Sequence, residues 1–414
     1  MLFRQIGAIA FFAAISSLLL TTNIYAQTTI SPDLDEIQGK RIFNQVKITL
    51  SQGALDTIHS TSGQKFKFHG QPIEVNNVQN DDAKITLRGS SSLNYRRKSY
   101  DIKLRDKVPF IGESDTIKLK KFFAISLNMD RNYIRNAIAL EVLSKYHISI
   151  PEHFYANVII NDSTEGVYMI YQSPVDYALK ESNSPLVLRR DANSAIGSIH
   201  TKDISPYREM IIKNQFEDLY FKDIVNYNGQ KLYSCLSRKI DIKSYFDWLS
   251  FNYLFENGDY TDEIFFYWDP EIEKFRIIPW DLDDLFTQYP HEGKELREKR
   301  IGNKLLFSSE DKLDVAIAND PVVYNAYLAE LKYFLDNFTD RDLELILKKV
   351  YSEVYPYFHD PAIINQSKYD KFGLTNVDIL KRDIDKIYNL IINRKKDILA
   401  VLQSETGDLT TKSK

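Results

Sequence analysis

A mixed α+β fold is expected for this chain: a β-rich first half with one inserted helix, then a mostly helical second half carrying an acidic hairpin near the junction. Three observations lead there. Val46, Ile48 and Leu50, then Ile85 and Leu87, then Tyr100, Ile102 and Leu104 alternate with polar residues, the two-residue period of half-buried strands. Over 322–337, 340–355 and 377–402 the apolar spacing lengthens to that of helices. Between these regions, the runs 264–268 and 275–278 flank an Asp269-Pro270 turn and carry acids at both open ends.

The acidic hairpin is the most informative stretch. In an antiparallel pair the start of the first strand lies beside the end of the second. Asp259, Asp262 or Glu263 can therefore meet Asp281 and Asp283, although 22 and 24 positions separate Asp259 from that pair. Asp281 and Asp283 share strand parity and are expected to point the same way. Converging carboxylates repel unless a cation sits among them, and oxygen-only ligands suit Mg²⁺ or Mn²⁺. The plainer alternative is a solvated hairpin end with scattered acids.

Composition limits the rest. The chain has 414 residues, 43% hydrophobic and 13% aromatic, enough for one large or two ordinary domains. A formal net charge of −4 argues against nucleic acid as the main partner. Residues 1–26 read as a targeting segment: Arg4, an apolar run over 6–20, and Ala26 before the expected cleavage at Gln27. Export to the periplasm, the cell surface or the medium is expected, with no integral membrane span after cleavage; the plainer alternative is that the segment stays as an N-terminal membrane anchor. The single cysteine, Cys235, excludes an intrachain disulfide and a cysteine-rich zinc site.

Taken in order, 27–40 is a leader. The alternating segment 65–68 is another strand, 89–92 is a Gly-Ser turn, and the strand at 100–104 follows a basic block, Arg97-Lys98. Lys98 shares the parity of the inner face and Lys103 does not, so Lys98 needs an anion or the end of the sheet. A helix over 131–146 is capped by Asp130 and carries Glu141 near its apolar stripe, either at the stripe's edge or paired with a lysine of the preceding sheet. Residues 155–171 form a hairpin and 172–183 a connector. The stretch 184–240 is mixed, with a loop over 191–205. An aromatic helix spans 242–255 and ends at Asn257-Gly258. Residues 289–304 are a polar loop, and a polar tail starts at Ser404.

Several of these blocks together resemble a known family. Leu87-Arg88-Gly89-Ser90-Ser91, Arg97-Lys98-Ser99-Tyr100, Asn128-Met129-Asp130 with Arg135-Asn136, Gly166-Val167-Tyr168, Asn257-Gly258-Asp259 and Ile278-Pro279-Trp280-Asp281-Leu282-Asp283 follow the order seen in the spore-coat-protein-H (CotH) kinase family. The resemblance covers roughly residues 40–400. It implies a protein-kinase-like two-lobed fold, with a β-rich N-lobe over 41–183, a helical C-lobe over 184–403 and a tail over 404–414. It also implies transfer of phosphate from ATP to Ser or Thr of a protein. Such transfer needs a divalent metal, a cation on the phosphates and a carboxylate for the attacking hydroxyl. By resemblance, Asp259 is the catalytic carboxylate and Asp281 the metal ligand, with Asp283 on the same or a second ion. Asp262 and Glu263 stand where relatives commonly carry an Asn pair, and as hard oxygen donors they join the expected metal set. Lys98, then Lys103, is the expected phosphate contact, with Glu141 orienting it and Gly89 and Ser90 covering the phosphates. Arg135 is expected in a helix-to-sheet salt bridge. Two other classes remain open: a pseudokinase-like envelope assembly or binding protein, and a glycoside hydrolase with paired carboxylates.

Overall fold

The computed structural model describes residues 30, 34, 42–60, 64–112, 114–191 and 194–411. The targeting segment 1–26 lies outside them. No helix among the described residues is long and apolar enough to cross a membrane.

The alternating segments become strands β1 (Asn44–Ile48), β2 (Lys67–Val75), β3 (Val78–Arg88), β4 (Ser99–Ile111), β5 (Thr116–Ile125), β6 (His153–Ile160) and β7 (Ser163–Gln172). They close into a barrel in the order β1-β2-β3-β4-β5-β7-β6. Parallel pairing of β1 with β6, Asn44↔Ala156 through Ile48↔Ile160, makes the closure and removes both sheet edges. The sequence pattern forecast a strand in each of these places except β5, and it did not forecast the closed barrel, because closure depends on contacts between distant segments. Val46, Ile48, Ile85, Leu87, Tyr100, Ile102, Phe122, Val158 and Tyr168 point inward and pack together. Helices α1 (Gln52–Ser60) and α2 (Arg135–Lys145) interrupt the strands. α2 starts four residues later than expected and its N-cap is Ile134, not Asp130; the Asp130 carboxylate nonetheless accepts the backbone N–H groups of Arg135 and Asn136 at 2.9 Å each.

Beyond the barrel, β8 (Leu186–Asp191), β9 (Ala195–Thr201), β10 (Ile264–Asp269) and β11 (Lys274–Pro279) form a four-stranded sheet in the order β11-β10-β8-β9. The acidic hairpin pairs as foreseen, from Ile264↔Pro279 to Asp269↔Lys274. The β8–β9 hairpin falls in the stretch read as mixed and looped. The helices of this half are α3 (Pro206–Asp218), α4 (Gly229–Lys239), α5 (Ile242–Phe255), α6 (Lys294–Ile301), α7 (Lys312–Asn319), α8 (Pro321–Asn337), α9 (Asp340–Phe358), which packs on β6 and α2, and α10 (Val377–Thr411). Asp320 starts α8 by accepting the N–H groups of Val322 and Val323, and a Thr339–Asp342 capping box starts α9. α6 replaces part of the expected loop over 289–304, and α10 continues into the expected tail. The second half is therefore helix with a small sheet rather than helix alone.

Candidate active site

A cavity of about 580 Å³ opens between the outer face of the barrel and the segments that lead into β10 and out of β11, at the open end of that hairpin. Outward-facing Arg88, Ser99, Ile125, Met169 and Tyr171 come from the barrel; Asp259, Glu263, Trp280, Asp281, Asp283, Asp284 and His291 come from the other side. Gly89, Ser90, Ser91 and Ser92 line it as well. Gly89 has φ +103°, and a Cβ there would lie 1.8 Å from Ser92 Oγ, so the turn needs glycine.

Packing behind the cavity explains the spacing of the sequence blocks. Asn136, held by Asp130, accepts the Leu282 N–H at 3.0 Å. Arg135 Nη1 donates to the carbonyls of Asp283 at 3.4 Å and Leu285 at 2.9 Å. Arg135 thus serves the acidic segment's backbone, not a helix-to-sheet salt bridge. Asp281 lies past the end of β11 with φ +52°, a left-handed conformation that Asp tolerates better than most residues. Side-chain direction at Asp281 and Asp283 therefore follows this turn and not strand parity.

The turn at 259–263 is held from below. Arg189 Nε donates to the Asp262 carbonyl at 2.9 Å, and its Nη2 bonds Glu263 Oε2 at 3.0 Å. Arg190 donates to the Thr261 carbonyl and lies fully buried between Asp311 (3.7 Å) and Asp314 (3.6 Å). Thr261 Oγ1 donates to Glu310 at 2.8 Å. Above the turn, His291 Nδ1 sits 3.4 Å from Asp259 Oδ1, and its Nε2 sits 3.1 Å from Asp284 Oδ2.

The carboxylates are charged against resistance. Desolvation pushes Asp259 up to about 6, with nearby Asp262, Asp284 and Asp281 adding to the rise and His291 opposing it. Glu263 and Asp283 are raised well above the carboxylate range by burial first and by Asp281 second. Burial also raises Asp281, against the attraction of Arg88 and Arg189. Arg88 stacks over Phe123 at 3.8 Å and Trp280 at 5.0 Å; burial lowers its affinity for protons, and Asp281 restores part of it.

Of the residues expected from the sequence, the structure brings Asp259, Glu263, Asp281, Asp283, Gly89 and Ser90 to one cavity. Asp262 stands on the same turn, half exposed, with Arg189 3.8 Å from its carboxylate. The three remaining residues lie elsewhere. Lys98 is buried just ahead of β4, outside the cavity lining, and donates to the Leu93 carbonyl at 2.5 Å. Lys103 is exposed, outside the cavity lining. Glu141 pairs with Lys349 of α9 at 2.7 Å, so it orients no lysine of the sheet. Arg88, Arg189, Lys65 and Lys371 are the cations that line the cavity. The run Leu186-Val187-Leu188 ahead of Arg189 was the signal for the missing strand, and Arg88 stood inside a block already singled out.

Gly258 marks the tightest approach. A Cβ there would lie 2.4 Å from Asp284 Oδ2 and 2.7 Å from Thr287 Oγ1. Asp284 is held by His291 and cannot swing freely. Gly258→Ala is expected to destabilise the chain by about 1–3 kcal/mol, the usual cost of overpacking. Chemical denaturation would show the loss as a lower midpoint at unchanged slope.

Comparison with known families identifies a kinase-like protein. The family model described as CotH kinase protein matches residues 85–397, and the chain belongs to that family. It is 22% identical over 343 residues to the inner spore coat protein H of Bacillus subtilis (strain 168), covering 78% of this chain and 88% of that protein. It is similar in structure to the Helicobacter pylori proinflammatory kinase CtkA, with 14% identity and a TM-score of 0.30 over 73% of this chain and 95% of that one. HipA of Shewanella oneidensis MR-1, in its toxin–antitoxin complex with HipB and operator DNA, is similar at 10% identity and a TM-score of 0.31, over 72% of this chain and 64% of that one.

Proposed function

We propose that this chain is an exported protein kinase that transfers the γ-phosphate of ATP to Ser or Thr of a surface or periplasmic protein. The observation that carries the proposal is the cavity shared by Asp259, Glu263, Asp281 and Asp283 with Arg88 and Arg189. Its donors suit a nucleotide and a hard cation. The buried Tyr171 hydroxyl, on the cavity wall, has no hydrogen-bond partner among the described residues and is free to meet a ligand.

Among the described residues no three His, Cys, Asp or Glu side chains stand close enough to cage an ion. A cage is not what Mg²⁺ requires: it keeps several waters and takes one or two carboxylates plus phosphate oxygens. Asp281 and Asp283 fit as those carboxylates, with Glu263 or Asp262 nearby. When bound, the ion supplies charge neutralisation at the transferring phosphoryl group. Arg88, fixed by its two aromatic neighbours, and Arg189 bind and orient phosphate oxygens. The Gly89–Ser92 turn supplies a compact wall. Asp259 accepts the proton of the acceptor hydroxyl, and His291 fixes its orientation.

Transfer of labelled γ-phosphate to a serine-rich acceptor, with each divalent ion in turn, tests the proposal; loss in Asp259→Asn with retained folding supports it. Transfer is expected to rise with pH through about 6 and then level off, because Asp259 acts deprotonated. The stability sign is opposite. The folded-state value lies above the unfolded 3.8, so this group's stabilisation is complete below that pH and is lost as pH rises through about 6. A pH series of thermal midpoints on metal-free protein checks it.

One observation favours a second reading, a nucleotide-binding pseudokinase of the envelope. Lys98 is committed to a carbonyl, and the acids of the turn are already paired with His291 and Arg189. A thermal shift with Mg²⁺-ATP but no transfer would select it.

A further inference from the structure

The outer face of the barrel carries a row of lysines that the cavity does not use. Lys84 lies directly opposite Lys103, and Lys103 directly opposite Lys121, across β3, β4 and β5. Neighbouring strands are roughly 4.8 Å apart, so three like charges sit within about 10 Å. Like charges directly opposite on a sheet are destabilising. Among the described residues Lys84 and Lys103 form no ion pair, and Lys121 reaches only Asp176, at 4.0 Å. Asp176 is shared with Lys180 at 3.2 Å. Beside the row, a depression of about 480 Å³ is lined by Lys107, Lys118, Lys120 and Lys180 as well as Lys121; Glu152, Asp176 and Glu181 are its acids.

We propose that this face is a docking surface for an acidic, Asp/Glu-rich segment of a partner protein. An anion lying along the row relieves that repulsion. Lys121 is half-buried, so its charge is reached by a narrow chain and not by a flat headgroup layer. The chain's net charge of −4 repels a long polyanion, whereas a short acidic segment meets the local lysines alone. The surface also continues into the cavity. Phe123 and Ile125 follow Lys121 on the same face of β5, and Ile125 lines the cavity. A partner held on the lysines therefore has its next segment at the cavity's edge. The docking itself does not depend on phosphoryl transfer.

The test uses the full chain, without nucleotide or metal, and a fluorescein-labelled polyglutamate peptide read by anisotropy. Saturable binding that weakens between about 50 mM and about 300 mM salt is expected, since exposed charges are screened over that range. K84Q/K103Q/K121Q is expected to bind at least roughly tenfold more weakly, while its thermal midpoint holds or rises because three repelling charges are gone. The control K299Q/K312Q/K396Q, which removes the same charge elsewhere on the surface, is expected to bind like the parent. Absence of binding by the parent overturns the proposal, and so does undiminished binding by K84Q/K103Q/K121Q. Tighter capture by phosphatidylglycerol vesicles or by oligo-dT, lost in the same variant, would also overturn it by assigning the lysines to a bilayer or a nucleic acid. Because no transfer is read, failure here leaves the kinase assignment intact, and failure of transfer leaves the docking surface intact.

Discussion

Asp281→Asn is expected to lower metal-dependent phosphoryl transfer by about a thousandfold without unfolding the chain. A cation that neutralises the transferring group contributes several kcal/mol to the transition state, and each 1.36 kcal/mol is about tenfold in rate. Asparagine keeps the shape and tolerates the left-handed backbone at φ +52° nearly as well as aspartate, so strain does not confuse the result. Two opposing electrostatic changes also cancel in part. Removing the charge relieves repulsion with Glu263 and Asp283, and it deprives Arg88 and Arg189 of an attractive neighbour. The metal-free thermal midpoint should therefore move little, while the upward shift on adding Mg²⁺-ATP disappears. Undiminished transfer by Asp281→Asn would remove the basis for assigning the ion to this residue.

The second large effect concerns stability. Arg190→Met is expected to cost about 3–5 kcal/mol, the usual penalty for removing one partner of a buried ion pair. Arg190, Asp311 and Asp314 are all fully buried, and Arg190 also donates to Tyr245 at 2.5 Å. Without the guanidinium, two carboxylates remain in the interior with no cation. Asp314 already sits at about 7, raised by desolvation despite Arg190. The double variant R190M/D314N should be more stable than R190M alone, an inverted sign that a simple loss of packing would not give. R190M should also recover stability on acidification, because an unpaired buried carboxyl folds better protonated. Urea midpoints across pH measure both. Since Arg190 also supports the Thr261 carbonyl, R190M is expected to loosen the turn that carries Asp259.

These two cases show how unevenly the site could be read beforehand. The acids at the ends of the hairpin were legible, because antiparallel pairing brings its open ends together whatever else surrounds them. The cations were not. Lys98 looked suitable because alternation put it on the inner face, yet it stands just ahead of β4, outside the cavity lining, and donates to the Leu93 carbonyl. Glu141 looked like a partner for a sheet lysine until α9 brought Lys349 against it. Arg189 and Arg190 lay hidden in a six-residue strand, too short for its period to stand out beside a long loop.

What the sequence determined by itself was local: which segments alternate, that Asp130 stands at the start of a helical segment, and that the hairpin's two ends are acidic. Such features depend on neighbours within a few positions and on backbone hydrogen bonding, so they survive without knowledge of the fold. Tertiary structure alone decided the closure of the barrel, the gathering of Arg88, Arg189, Lys65 and Lys371 around the cavity, and the burial of Arg190 beneath the turn that carries Asp259. Each of those rests on desolvation and charge between residues far apart in the chain, energies that come into being only when distant surfaces meet.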